Sequence, residues 1–140
     1  MGKYLMGIDA GTGSVRVALY DYRGQNRAYH IESYGTTYPK NGWAEQDDKE
    51  WWSALSKAIP ECMKKAGIGP ESVVAIACDA TTNTLVFLDE NDESVRPPML
   101  WMDVRATEEA AFIDSIREDY EATRFYKPSF RADTLIPKCM

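Results

Sequence analysis

At 140 residues, with 44% hydrophobic side chains, the chain is long enough to bury a core and short enough to be read as one domain. A formal net charge of −6, with no local Lys/Arg cluster to offset it, excludes a nucleic-acid surface and an anionic membrane surface, because both would be repelled. A small anionic ligand stays compatible, since backbone amides bind anions without net positive charge. The cysteines, Cys62, Cys78 and Cys139, are odd in number, lack metal-ligand spacing and sit among apolar residues, so buried free thiols in a reducing compartment are expected. No window has the length and apolarity of a membrane span, and no basic, then apolar, leader opens the chain, so a cytoplasmic protein is expected.

Residues 3–8 (KYLMGI) form a short apolar run closed by Asp9 and glycines, which predicts a buried strand. Residues 15–20 (VRVALY) alternate as a second strand, the Asp21-Tyr22-Arg23-Gly24 turn follows, and residues 27–34 make a third. A helix is predicted next. Asp47 is placed to cap it, with Glu50 three residues on as in a capping box. Trp51, Leu55, Ile59, Cys62 and Ala66 give the helical spacing, and Gly67 the stop. Pro60 is a misfit inside that pattern, expected to kink or divide the helix. Residues 73–78 (VVAIAC) and 84–88 (TLVFL) read as two further strands, and 89–94 as a solvated acidic hairpin tip. A last helix is predicted over residues 104–119. The order β-β-β-α-β-β-α is mixed, which disfavours a doubly wound Rossmann sheet.

The stretch MGIDAGTGSVR, residues 6–16, carries the most chemical information. It lacks the Lys of a P-loop and the third glycine and following helix of a dinucleotide fingerprint. What is left is a strand-turn-strand in which Gly11 and Gly13 are free to take φ > 0 and let a ligand approach the backbone. Thr12 and Ser14 supply hydroxyls, and the turn amides line the approach. Such a turn suits a terminal phosphate, with Asp9 holding Mg²⁺ directly or through water and Arg16 offering a guanidinium. A tight hairpin with conformational glycines and an amide-satisfying Asp explains the same residues. Two glycines decide little between them.

The segment GIDAGTGSVRVALYD resembles the first phosphate segment of the actin, hsp70 and sugar kinase superfamily, and specifically of the FGGY carbohydrate kinases. GWAEQDDKEWW is similar to the E-Q-x-x-x-x-W segment of that family. ACDATTNTLVFLDENDESVRPPMLWMDVRATEEA is similar to its strand, substrate loop, hairpin and W-x-D-x-R-A segment, and IPKCM to the start of its next helix. The resemblance implies an α/β, ribonuclease H-like fold with a mixed five-stranded sheet and flanking helices, incomplete in this chain. Residues 1–140 would then be the N-terminal portion of the first kinase domain, with the general-base Asp and the second domain not included. It implies ATP and Mg²⁺ as cofactors, transfer of a phosphoryl group to a sugar or polyol hydroxyl, and a homodimer for the full-length enzyme. The 140-residue chain alone is expected to be inactive, and a truncated, non-catalytic binding or regulatory domain is the alternative.

The segments around residues 78–89 and 101–106 look most like the ribulokinase and related pentulose or pentitol kinases, and xylulokinases share the turn. Glycerol kinase fits less well, since an Arg-Glu pair typically stands there in place of Thr82-Asn83. By this resemblance Asp9 is a metal-associated acid, Gly11, Thr12, Gly13, Ser14 and Arg16 face the phosphate, and Asp79, Thr82, Asn83, Trp101 and Asp103 face the substrate. Arg105 is expected only to fix its loop, Trp43, Trp51 and Trp52 to be structural, and His30 to be a surface or cross-strand residue.

Overall fold

The computed structural model describes residues 2–116 and 130–140. The chain divides into two units, one built from Met1–Thr36 with Asp47–Thr81, the other from Thr37–Gln46 with Thr82–Met140.

In the first unit, β1 (Tyr4–Ala10), β2 (Ser14–Asp21) and β3 (Asn26–Ser33) form the predicted antiparallel meander, and β4 (Val73–Ala80) pairs parallel to the free side of β1. The order is β3-β2-β1-β4, a mixed sheet. β1 and β4 each run two residues beyond their apolar runs, so Asp9 and Asp79 lie within strands rather than after them. On one face Met6, Ile8, Val15, Val17 and Leu19 are buried together with Ala54, Ala58 and Cys62 of helix α1 (Asp48–Ala66). Each large member of that set contributes roughly 1.5–3 kcal/mol by burial. The helical seam differs from the one expected. Ala54, Ala58 and Cys62 recur every four residues, and their small side chains let the helix lie close to the sheet, with Leu55, Ile59, Met63 and Ala66 packed at its margins. Trp52 lies outside it, 70% exposed.

Asp47 caps α1 by accepting from the Lys49 N–H at 2.9 Å, as predicted. Glu50 does not complete a capping box; its Oε2 accepts from the Gly35 N–H at 3.2 Å, which ties the helix start to the segment after β3. Gly67 ends the helix in the left-handed region, φ 66°. Pro60 neither divides nor ends it. Pro60 and Ser56, whose carbonyl loses its helical partner, are both exposed, so water can satisfy that carbonyl.

Of the cysteines, only Cys62 is buried; its thiol donates to the Val17 carbonyl at 3.4 Å, and burial pushes its pKa up. Cys78 and Cys139 are exposed, contrary to expectation, Cys78 because β4 is open over most of its length among the described residues.

The second unit holds the predicted strand at residues 84–88, but as isolated bridges, Leu85 with Met99 and Leu88 with Ser94, not as a fifth sheet strand. The facing segment contains Pro97 and Pro98, which have no N–H to give, so the ladder cannot propagate. Asp89 closes the acidic tip by accepting from the Asn91 and Glu93 amides. α2 (Thr107–Ile116) buries Ala110 and Ile113, and a short helix, α3 (Leu135–Lys138), follows. The predicted helix thus starts three residues late, and its 117–119 end lies outside the described residues. Among the described residues no helix is long and apolar enough to cross a membrane.

Replacing Pro60 by Ala restores one helical hydrogen bond at an exposed position, so Pro60→Ala is expected to stabilise the protein by about 1–3 kcal/mol. An unchanged midpoint in chemical denaturation would show that the proline is accommodated without cost.

Candidate functional site

The antiparallel register places Asp9 directly opposite Arg16, with Ala10 opposite Val15, so the chain reverses over residues 11–13. The Gly11 N–H closes the turn on the Ser14 carbonyl at 3.0 Å. Arg16 Nη1 donates to Asp9 Oδ2 at 2.7 Å, and the two side chains are 53% and 48% exposed. An exposed pair of this kind is worth about 0–1 kcal/mol, so a stronger ligand for either partner can displace it. Across the other edge of β1 the parallel register sets Asp79 beside Asp9. Arg16, Asp9 and Asp79 therefore form one row on one face, at the carboxyl ends of the parallel strands β1 and β4. A cavity of about 520 Å³ beside this row is lined by Gly7, Ala18 and Ala77 together with the three charged residues.

The glycines act differently from expectation. Neither Gly11 nor Gly13 has a positive φ; the glycines that do are Gly24, Gly42 and Gly67. Gly11 is needed for room: a Cβ there would lie 3.0 Å from Arg16 Nη1 and 3.4 Å from the Ser14 carbonyl. Gly13 faces open space, so its missing side chain leaves the approach to the turn clear. Ser14 opens β2 and is buried, whereas Thr12 is half-buried and the more accessible hydroxyl.

A residue that motif reading passes over holds this turn. Tyr34 Oη donates to the Gly11 carbonyl at 2.5 Å, and the Tyr34 N–H to the Gly13 carbonyl at 3.2 Å. Burial, then the negative charge of Asp9, hold the phenol above its ordinary pKa against the opposing Arg16, so it remains a donor. In sequence Tyr34 is one more aromatic at a strand end, and only the register of β2 with β3 brings it to the turn.

The donor set suits Mg²⁺. Among the described residues no cluster of three or more acidic, His or Cys side chains stands ready for a metal. Mg²⁺ ordinarily takes one or two carboxylates and completes its shell with water and phosphate oxygens, which Asp9 and Asp79 allow.

The remaining expected substrate residues belong to the second unit. Thr82 is exposed, Asn83 is a left-handed turn residue (φ 55°), and Trp101 is 44% exposed. Asp103 is a correction. It is 0% exposed, and its oxygens accept from the Ala44 N–H (2.8 Å) and from the Arg105 N–H (3.1 Å), Nε (2.8 Å) and Nη2 (2.6 Å). With those bonds made it has no surface to offer a ligand, and it serves to orient Arg105. Arg105 Nη2 also reaches Glu45 at 2.7 Å, and its guanidinium stacks on Trp43 at 3.6 Å. Lys138 is buried with its Nζ donating to the Leu100 carbonyl at 2.7 Å. Burial would raise the Asp103 carboxyl, but the Arg105 and Ala44 hydrogen bonds outweigh it and hold the group below its ordinary value. Burial lowers Lys138. The paired motif residues Glu45, Asp103 and Arg105 thus hold the loop that carries Trp101.

A glycine-containing hairpin flanked by an acid and a guanidinium stands on a mixed sheet backed by one helix, an α/β arrangement. The model of the FGGY family of carbohydrate kinases, N-terminal domain, matches residues 4–132, and the chain belongs to that family. A curated glycerol kinase from Halothermothrix orenii is 32% identical over 107 residues, covering 76% of this chain. The chain spans only 21% of that relative's length. Among solved structures, a xylulose kinase from Brucella ovis superposes with TM-score 0.85 at 26% identity, over 95% of this chain and 27% of that one. A Plasmodium falciparum glycerol kinase with ADP gives 0.81 at 18% identity, over 98% and 28%. The fold is therefore that of the actin, hsp70 and ribonuclease H-like sugar kinases, represented by an incomplete mixed sheet with helices.

Two outcomes follow. Gly11→Ala meets the movable end of Arg16, so it should leave thermal stability within a few degrees while breaking the Asp9–Arg16 pair, seen as a changed Arg16 side-chain signal in NMR; a large loss of stability would mean the room is needed by the backbone. Because the Asp103 carboxyl titrates below its ordinary value when folded, its stabilisation is full above about pH 4 and lost as pH falls through the folded value. Asp103→Asn should cost about 3 kcal/mol at pH 7 and flatten that acid loss, checked by denaturant melts at pH 7 and 3.

Proposed function

We propose that the chain is the N-terminal portion of the first domain of an ATP-dependent carbohydrate kinase, which transfers the γ-phosphoryl of ATP to a hydroxyl of a pentulose or pentitol such as ribulose or xylulose. The observation that carries this reading is the displaceable Asp9–Arg16 pair beside the Gly11–Ser14 turn. Magnesium, when bound, neutralises charge on the phosphates. Asp9 holds it directly or through water, with Asp79 as the neighbouring carboxylate, and Arg16, once released from Asp9, pairs with phosphoryl oxygens. Gly13 leaves the approach clear, and Thr12 and Ser14 supply hydroxyls at the turn. Catalysis by these residues is positioning and charge compensation, with no covalent step. Thr82, Asn83 and the partly exposed Trp101 are assigned to the acceptor, and the protein to the cytoplasm, where ATP is supplied.

The likeness to a xylulose kinase supports the five-carbon acceptor, and so does the absence of an Arg-Glu pair at Thr82-Asn83. The glycerol kinase relative favours a second reading, in which the acceptor is glycerol. The test uses protein expressed from the complete reading frame, assayed with Mg-ATP against ketopentoses, pentitols and glycerol. A ketopentose or pentitol should be preferred over glycerol by at least about tenfold in kcat/KM, the discrimination a few pocket contacts supply. Preference for glycerol would overturn the acceptor assignment, and ATP hydrolysis indifferent to every acceptor would overturn the kinase reading. Asp9→Asn should lower kcat by about a hundredfold or more without unfolding the protein.

A further inference from the structure

We propose that Tyr34 is a positioning residue for this phosphoryl transfer: its hydroxyl and its main-chain N–H tether the carbonyls of Gly11 and Gly13, and so fix which way the turn presents its amides. The inference rests on the kinase reading above.

A three-residue reversal rich in glycine is soft, and its peptide planes can rotate at little cost. In each planar trans peptide the carbonyl and the following N–H point in opposite directions. Holding the Gly11 carbonyl on the Tyr34 side therefore directs the Thr12 N–H the other way, and holding the Gly13 carbonyl does the same for the Ser14 N–H. An untethered carbonyl turned toward a phosphoryl group would oppose its charge, whereas an N–H attracts it. The Gly11 N–H is itself committed to the Ser14 carbonyl, which closes the turn. Tyr34 is suited to the task because it directly follows β3, whose pairing with β2 runs through Ser33 and Ser14. The tether thus connects the turn to a third strand, a rigid element. Glu50 anchors the next residue, Gly35, to the first turn of α1, which limits the drift of Tyr34 itself. The phenol stays protonated through neutral pH, as its environment requires of a donor.

Tyr34→Phe removes one tether, keeps the ring and leaves the main-chain tether in place, so the fold should survive. In protein from the complete reading frame, the variant should lose about tenfold in kcat, with the acceptor KM unchanged, as expected for a misaligned positioning group. Amide hydrogen exchange across residues 11–14 should quicken by about tenfold, with exchange in α1 unchanged. Ala58→Gly, in the buried seam of α1, is the comparison: it should lower the melting temperature but leave kcat per folded molecule unchanged. A kcat for Tyr34→Phe within twofold of wild type would make Tyr34 merely structural and overturn the proposal. Unchanged exchange at the turn would overturn the tether itself, whatever the activity. No transfer by the wild type to any acceptor would instead defeat the kinase reading, and the catalytic role with it.

Discussion

The pairing of β1 with β2 is the interaction on which the first unit depends. Its register decides that Asp9 faces Arg16, that Met6 and Ile8 share a face with Val17 and Leu19 over α1, and that the reversal falls on two glycines. A slip of one residue would turn every one of these side chains to the opposite face, burying the charges and exposing the core. Core packing therefore enforces the chemistry: hydrophobic residues at alternate positions fix where the acid and the guanidinium emerge.

The two units treat charge in opposite ways. At the hairpin, Asp9 and Arg16 meet in partial exposure, where a pair is weak and can be exchanged for a ligand. In the second unit, Asp103 and Glu45 are buried and Arg105 is partly buried against them, and a carboxylate taken from water is stable chiefly when its bonds are made. Asp103 makes four, from Arg105 and Ala44. Such a set is suited to holding a loop in one shape. Residues of one motif thus differ in exposure, with Trp101 at 44% and Asp103 at 0%.

Much of the fold was legible because local signals agreed. A short apolar run marks β1, alternation marks β2, Asp47 and Gly67 mark the ends of α1, and four segments in order carry the family resemblance. The misreadings have separate physical sources. Residues 84–88 have strand composition, but the segment facing them contains Pro97 and Pro98, a non-local fact. Gly11 suggested a left-handed turn, whereas its use is clearance for Arg16, a contact set by cross-strand register. Asp103 is a substrate residue by the family resemblance alone; its burial depends on Ala44 and Arg105, one of them far off in sequence. Tyr34 carried no motif, and its hydroxyl finds Gly11 only after β3 has paired with β2.

The proposed function stands or falls with the turn between β1 and β2 receiving a phosphoryl group. The most direct measurement is amide hydrogen exchange of the protein from the complete reading frame, with and without Mg²⁺ and a non-hydrolysable ATP analogue. Protection is expected to concentrate over residues 10–16, to depend on Mg²⁺ and to be lost in Asp9→Asn. Saturable binding of the analogue with no protection at those residues would contradict it.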